Sequence, residues 1–410
     1  MSLDIRVSAS PQASYAPVHN ATVHNDATNP FSFGDLALDD AFTDREDELA
    51  ELISDMRNGQ NVLVYAPRRY GKSSLVLKAA QEAMQQKVLV AYCDLMKTPT
   101  KERFAAALAR TIYADIASPV DQAFERAAEL FRGLRIRPTM EVDPSDGSLR
   151  FSFQASRRKT DIDDTIERLL ELLGELAAER KRRVVIVFDE FQEILALDKQ
   201  FPNLLRAVFQ TQPEVSHVYL GSKRHVLERI FNDSNEPFWR SAKQLEIGMI
   251  APAKLARFIR ERFQARGKGI TDDALDRLLR ATEGHPYGTQ ELAYFVWELV
   301  PSGGEASAED VDEALTRVLR SEHNHFTRLW DDAPHPQRLL LLALADGPTR
   351  SIYSSEYRAR YDLPAVPTLQ TAMGGLTKKE IAGRNTEGEH CVIEPFFAEW
   401  LLRDQRTSGA

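Results

Sequence analysis

Apolar positions follow one rhythm up to about residue 250 and another beyond it. In the first regime, short unbroken apolar runs recur: "NVLVYA" (61–66), "KVLVAYCDL" (87–95), "RVVIVFDE" (183–190) and "VSHVYLGS" (215–222), with "LEIGMI" (245–250) a candidate fifth. Runs of this kind belong to strands buried on both faces, and helical spacing between them predicts a parallel sheet covered on both sides. One such cover is "DDTIERLLELLGELAAERKRR", whose Ile166, Leu169, Leu170, Leu173, Leu176 and Ala177 recur at helical spacing. Another is "AFTDREDELAELISDMRNG", where Asp44 can cap a helix that puts Leu49, Leu52 and Ile53 on one face. Between the second and third runs, alternating apolar residues flank Asp146-Gly147, which predicts a hairpin inserted near 134–155.

From Pro252 onward the period is 3.6 alone. "PAKLARFIRERFQARG", "TDDALDRLLRATEG", "PYGTQELAYFVWELV" and "SAEDVDEALTRVLRSEH" each start at Thr, Ser or Pro, and Gly marks the stops. A last unit, about 333–405, holds three short helical stretches. It ends in "EIAGRNTEGEHCVIEP", two strands around a polar turn. Three helices plus a β-wing is the winged-helix pattern. Residues 1–33 are rich in Ser, Ala, Pro, Asn and Thr without any period, so a flexible tail is expected there. The resulting division is a tail (1–33), an α/β domain (34–250), a helical domain (251–328) and a winged helix (333–405).

At 410 residues the chain exceeds one core, in line with that division. No apolar run reaches the about 18 residues that a membrane span needs, so no span is expected. The start lacks a basic segment followed by an apolar core, so no secretory signal is expected. Cys93 and Cys391 stand in strand-like contexts without partners at metal-ligand spacing, which argues for a reducing, cytoplasmic setting. The net charge of −9 supplies no global attraction to nucleic acid, so any DNA contact would need a local patch.

Chemistry concentrates after the first strand. Ala66-Pro67-Arg68-Arg69-Tyr70-Gly71-Lys72-Ser73 fits the phosphate-binding P-loop (Walker A) pattern at every fixed position but the first glycine. In such a loop successive backbone N–H groups, here through Ser74, face phosphate oxygens, and the following helix adds its positive end. Lys72 would reach the β- and γ-phosphates, and the Ser73 hydroxyl would ligate Mg²⁺. If the first position requires a positive φ, Ala66 costs about 1–2 kcal/mol there. That is tolerable against the roughly 5–15 kcal/mol of a folded domain.

A second group lies downstream. The run "VVIVFDE" ends in Asp189 and Glu190, a Walker B arrangement at the carboxyl end of a parallel strand, where open α/β sheets bind ligands. Asp189 would hold Mg²⁺ through water, and Glu190 would orient and deprotonate the attacking water. The bland alternative is that Asp-Glu only caps the next helix. Ser222, at the end of a third strand, is positioned either to touch the γ-phosphate or lytic water or to serve as a turn residue. Together these features point to a nucleotide hydrolase.

The chain resembles the archaeal-type P-loop ATPases of the AAA+/STAND branch. The matching pieces are "FTDREDEL", "APRRYGKSSL", "VFDEFQEI", "GSKRHVLERIF", "PFWRSA", "EGHPYGTQ" and "IEPFFAEWLLR", in order from Phe42 to Arg403. The resemblance implies an ATPase core, a helical lid and a C-terminal winged helix, with ATP rather than GTP as the nucleotide. It also implies that Arg45 lies near the nucleotide and that Gly284-His285-Pro286 is a lid motif packing against the base and sensing phosphates. Read physically, Gly284 can end one helix and Pro286 begin the next, which leaves His285 at a junction. Arg224 and Arg240 are candidates for a charge-neutralising arginine, from the same or a neighbouring subunit, or else for surface salt bridges. The missing first glycine and the "GSKRH" segment depart from the family pattern.

Three functions remain open. One is a slow or partner-stimulated ATPase acting as a nucleotide-controlled switch or scaffold on a protein partner. Another is a DNA-associated oligomeric motor or loader. The third is a nucleotide-binding module without useful hydrolysis, against which Lys72, Ser73, Asp189 and Glu190 argue. A winged helix reads DNA through its third helix, here "VPTLQTAMGGLTKKE". Yet from Ala333 onward nine Lys/Arg face nine Asp/Glu, without the basic excess of dedicated DNA binders, and only Lys378, Lys379 and Arg384 cluster.

Overall fold

In the computed structural model the described residues are 29–34, 36, 42, 45–117, 136–142, 149–155, 159–385 and 387–405. The chain divides into two compact units. The first takes in Glu46–Tyr65 and Leu75–Glu246; the second takes in Arg45 and the described residues from 29 on that precede it, Ala66–Ser74 and Ile247–Ala410.

The first unit is built on five parallel strands: β1 (Val62–Tyr65), β2 (Leu89–Asp94), β5 (Val184–Asp189), β6 (Val215–Gly221) and β7 (Lys243–Glu246), in the order β2-β5-β6-β1-β7. All four main runs and the overlapping fifth are therefore strands. α1 (Glu46–Asn58) precedes them, and between them lie α2 (Lys72–Gln85), α3 (Lys101–Thr111), α4 (Lys159–Arg180), α5 (Phe201–Phe209) and α6 (Arg224–Asn232). The α4 stripe from Ile166 to Ala177 is buried in one apolar core with Leu63, Phe104, Ile186, Phe188 and Tyr219. β3 (Ile136–Val142) and β4 (Leu149–Ala155) form the expected antiparallel hairpin, whose Asp146-Gly147 turn lies outside the described residues, as does Asp44.

The second unit contains α7 (Pro252–Ala265), α8 (Asp272–Thr282), α9 (Pro286–Leu299) and α10 (Ala308–Asp331), with a minimal parallel pair of β8 (Gly269–Ile270) and β9 (Glu305–Ala306). The winged-helix elements follow: α11 (His335–Ala345), α12 (Ser355–Arg360), α13 (Val366–Lys378), the antiparallel wing β10 (Ala382–Arg384) and β11 (His390–Val392), and α14 (Pro395–Trp400).

Two boundaries differ from expectation. Helix α10 runs on to Asp331, three residues past the expected end of the helical domain at 328. Its apolar stripe continues through Phe326 into the wing unit's Phe397 and Trp400, so lid and winged helix share one core. The tail expectation fails for residues 29–33. Phe31 is buried against Phe258 and Phe263, and the Asn29 side-chain amide donates to the Tyr294 carbonyl at 3.1 Å. Two aromatics in "NPFSF" suffice to anchor a stretch whose composition otherwise reads as disordered. No helix among the described residues is long and apolar enough to cross a membrane.

Candidate nucleotide site

In the first unit the sheet's carboxyl edge gathers the predicted acids. Asp189 closes β5 opposite Asp94 of β2. One of its oxygens accepts from the Tyr92 hydroxyl, and the other accepts the backbone N–H of Glu190 at 2.9 Å. Burial pushes the Asp189 carboxyl above its usual range, and the Tyr92 hydrogen bond opposes that push. Glu190 adopts a left-handed backbone (φ 54°, ψ 50°). Such a conformation costs a non-glycine residue roughly 1–3 kcal/mol and concentrates at functional positions. Its Oε2 accepts from the Ser222 hydroxyl at 3.1 Å and also from the Gln192 side-chain amide. The Glu190 side chain makes no capping hydrogen bond to the turn that follows. Beside this group, a Cβ on Gly221 would lie 2.3 Å from the Gln192 Oε1 and 2.7 Å from a Leu227 methyl, so a larger residue there would have to displace both side chains.

The two candidate arginines separate. Arg224 stands at the carboxyl edge and is already engaged. It donates to Glu228 at 2.8 Å and to Glu246 at 2.6 Å, and it lies 5.6 Å from the centre of the Tyr65 ring. Arg240 precedes Lys243, which pairs with the first residue of β1. It therefore occupies the amino edge, roughly a strand length of 15–20 Å from Asp189. An arginine there cannot reach a nucleotide at the carboxyl edge of its own sheet, so Arg240 is corrected as a same-chain catalytic residue. It lines a cavity of about 330 Å³ with Arg206, Asn61, Gln212 and Ser241, into which no carboxylate projects.

The second unit carries the loop that leaves β1. Lys72 is buried, and its ammonium donates to the carbonyls of Ala66 (2.9 Å) and Pro67 (3.0 Å). The left-handed residues are Arg69 (φ 66°) and Gly71 (φ 82°), whereas Ala66 takes no positive φ. The strain anticipated for the missing glycine is thus absent. A Cβ at Gly71 would meet nothing within 4 Å, so the loop is open there. No acid occupies the first turn of α2, where Ser73 is half-buried and Ser74 buried. An open loop, a buried lysine and an acid-free helix start fit a polyphosphate. A serine hydroxyl and an aspartate suit Mg²⁺, which keeps several of its own waters.

Arg45 is buried, with φ 88°, and donates to the Gly248 carbonyl at 2.5 Å. His285 caps α9, its Nδ1 accepting the Gly288 N–H at 3.1 Å, and Pro286 occupies the first helical turn. Burial holds the imidazole down to about 4, so it is neutral at pH 7. The Tyr70 ring meets it edge-on at 5.1 Å. A Cβ on Gly284 (φ 79°) would lie 2.5 Å from the Ile250 carbonyl, which explains the glycine.

Contacts that the sequence did not announce tie the loop to the rest of this unit. Arg69 pairs with Glu394 at 3.0 Å and lies 4.3 Å from the centre of the Tyr287 ring, and Arg68 approaches Glu380 at 3.8 Å. Tyr92 and Gln192 were likewise unread. Tyr92 depends on β2 neighbouring β5, which no local pattern encodes, whereas Gln192 had a signal in its place two residues after Glu190 in "DEFQ".

The fold has counterparts among known proteins. Among solved structures, a Walker-type ATPase of Pyrococcus abyssi superposes with a TM-score of 0.62 at 16% identity, covering 89% of this chain and 97% of that one. The Aeropyrum pernix Orc1 protein in complex with DNA gives 0.46 at 17% identity, covering 90% and 95%. At such identities the likeness is one of fold. No curated protein sequence matches the chain at a significant level. Residues 324–403 match a family described as "probable winged helix domain". Residues 42–292, more than half of the chain, match the family described as an ATPase domain predominantly from Archaea, and with its P-loop, its strand-end acids and its five-stranded parallel sheet the chain belongs to that family of ATP-binding ATPases.

Proposed function

We propose that the protein is a slow or partner-stimulated ATPase that works as a switch, its winged helix reporting the nucleotide state of the P-loop. The single observation that carries this reading is the Arg69–Glu394 ion pair, a direct link between the loop and the start of α14. Magnitudes favour a releasable link. A partly exposed ion pair contributes about 0.2–1 kcal/mol and a cation–π contact about 0.5–2 kcal/mol. Binding a nucleotide with micromolar affinity makes about 8 kcal/mol available. Phosphates entering the loop can therefore outcompete Glu394 for the Arg69 guanidinium.

In this reading the loop N–H groups and Lys72 hold the phosphates. Ser73 and, through water, Asp189 would hold Mg²⁺, while Glu190 positions the attacking water and takes its proton. Bound Mg²⁺ would supply charge neutralisation at the phosphate oxygens. The test is hydrogen exchange of residues 324–403 with and without ATP, in the Glu190→Gln background that retains nucleotide. ATP should alter protection around Glu394, and Glu394→Gln should show the altered state before ATP is added. Exchange in 324–403 that ignores ATP would reject the switch. Steady-state turnover with and without duplex DNA tests whether DNA is the stimulating partner.

A second reading, an oligomeric assembly, is favoured by one observation: Arg206 and Arg240 share a cavity without a carboxylate at the amino edge. Arg240 would then serve a neighbouring copy. Turnover per molecule that rises with protein concentration, and is lost in Arg240→Ala, would support it.

A further inference from the structure

The Gln192 side chain presents a physical anomaly. It is buried at 5% exposure, and its Oε1 has no hydrogen-bond partner, which costs roughly 1–3 kcal/mol in a folded protein. Leu227 methyls and the Gln192 Oε1 both crowd the place that a Cβ on Gly221 would take, and a leucine in place of Gln192 would remove the orphaned carbonyl. The amide end of the side chain accounts for its presence, because Nε2 donates to Glu190 Oε2. The Ser222 hydroxyl donates to that same oxygen at 3.1 Å. Two donors thus converge on one carboxylate oxygen, and Glu190 Oε1 is left as the oxygen able to take a proton from water.

The surroundings are arranged to permit this contact. Gly221 lacks the Cβ that would strike Gln192 Oε1 at 2.3 Å. The left-handed backbone at Glu190 lies two residues before Gln192, and the short turn Phe191–Glu193 carries Gln192. Backbone strain and an orphaned carbonyl each oppose stability, and both meet at one carboxylate.

We infer that Gln192 is a positioning residue for hydrolysis: with Ser222 it fixes the rotamer of Glu190 and selects Oε1 as the oxygen that faces the attacking water. This rests on the reading of Glu190 as the general base. Gln192, buried behind the carboxylate it donates to, acts through Glu190.

The test compares Gln192→Leu with Glu190→Gln in the full chain, measuring kcat, KM for ATP, affinity for a fluorescent ATP analogue and Tm. Loss of one positioning hydrogen bond predicts a kcat roughly 10- to 100-fold below wild type. KM and analogue affinity should stay within about twofold. Tm should be equal or higher, a combination that a purely structural side chain would not produce. Gln192→Met, unbranched and without a donor, serves if the leucine lowers Tm. Ser222→Ala combined with Gln192→Leu should lose less than the product of the single effects, because both act on one oxygen. A wild-type kcat in Gln192→Leu, with Glu190→Gln inactive, would overturn the positioning role alone. Turnover that survives Glu190→Gln would instead overturn the assignment of the base.

Discussion

Two glutamates, one at the sheet edge of the first unit and one on a helix of the second, meet opposite treatment. Glu190 is presented by a strained backbone and gripped by Gln192 and Ser222. Glu291, inside α9, is 1% exposed and neither of its oxygens has a hydrogen-bond partner. Burial, reinforced by Glu322, pushes its carboxyl up to about 8, against the pull of Arg69. It is thus protonated at neutral pH. The contrast shows what donors do for a carboxylate beside apolar surroundings. Where they converge the group is held in one orientation; where they are missing the group gives up its charge instead.

The sharpest way to break this comparison is Glu190→Gln, which should cut turnover by roughly 10²–10⁴-fold while ATP still binds. Equal turnover would place Glu190 on the same footing as Glu291. Next in size is Gly284→Ala, which forces a Cβ to 2.5 Å from the Ile250 carbonyl at φ 79°. Thermal unfolding should show a loss of about 2 kcal/mol or more.

The pH dependence of Glu291 sharpens the contrast. Its folded value, about 8, lies above its ordinary 4.5. The folded protein therefore binds more protons than the unfolded chain between those values, and stability falls as pH rises from about 4.5 to 8. His285 works in the opposite sense. Its value drops from 6.5 to about 4, so it makes stability rise with pH over that lower range. Above 6.5 the Glu291 slope stands alone of the two. Glu291→Gln should raise Tm by several degrees at pH 8.5 and by little at pH 5, roughly 2–8 °C per kcal/mol removed. A uniform change across pH would refute the protonated state.

Smaller still is Glu394→Gln, which should cost about 1 kcal/mol or less in stability because its ion pair with Arg69 is partly exposed. Its readable effect is tighter nucleotide binding, as the competitor for Arg69 is weakened. The smallest expected effect is Ala66→Gly, which should leave ATP affinity within about threefold, because residue 66 needs no positive φ.

Much of the site was legible because its chemistry is local in sequence. Lys72 and Ser73 sit within one eight-residue pattern, and Asp189 and Glu190 end one apolar run. Gly284 and Pro286 likewise read as a helix stop and a helix start. Arg240 was misleading for the opposite reason. Its place depends on which end of β7 it precedes, and an arginine in a loop carries no mark of sheet polarity. Phe31 was hidden by the composition of its neighbours, since two anchoring rings hardly change an average.

By itself, the sequence determined the parallel strands, the helical covers, the P-loop and the acids, because hydrophobic period and short phosphate-binding patterns are set by residues within about ten positions of one another. Only the tertiary structure decided that Tyr92 reaches Asp189, that Gln192 and Ser222 close on one oxygen of Glu190, and that Glu394 holds Arg69. Tyr92 with Asp189 and Glu394 with Arg69 join residues 97 and 325 positions apart. Such pairings follow from strand order and from the packing of a shared core, and no local period records either.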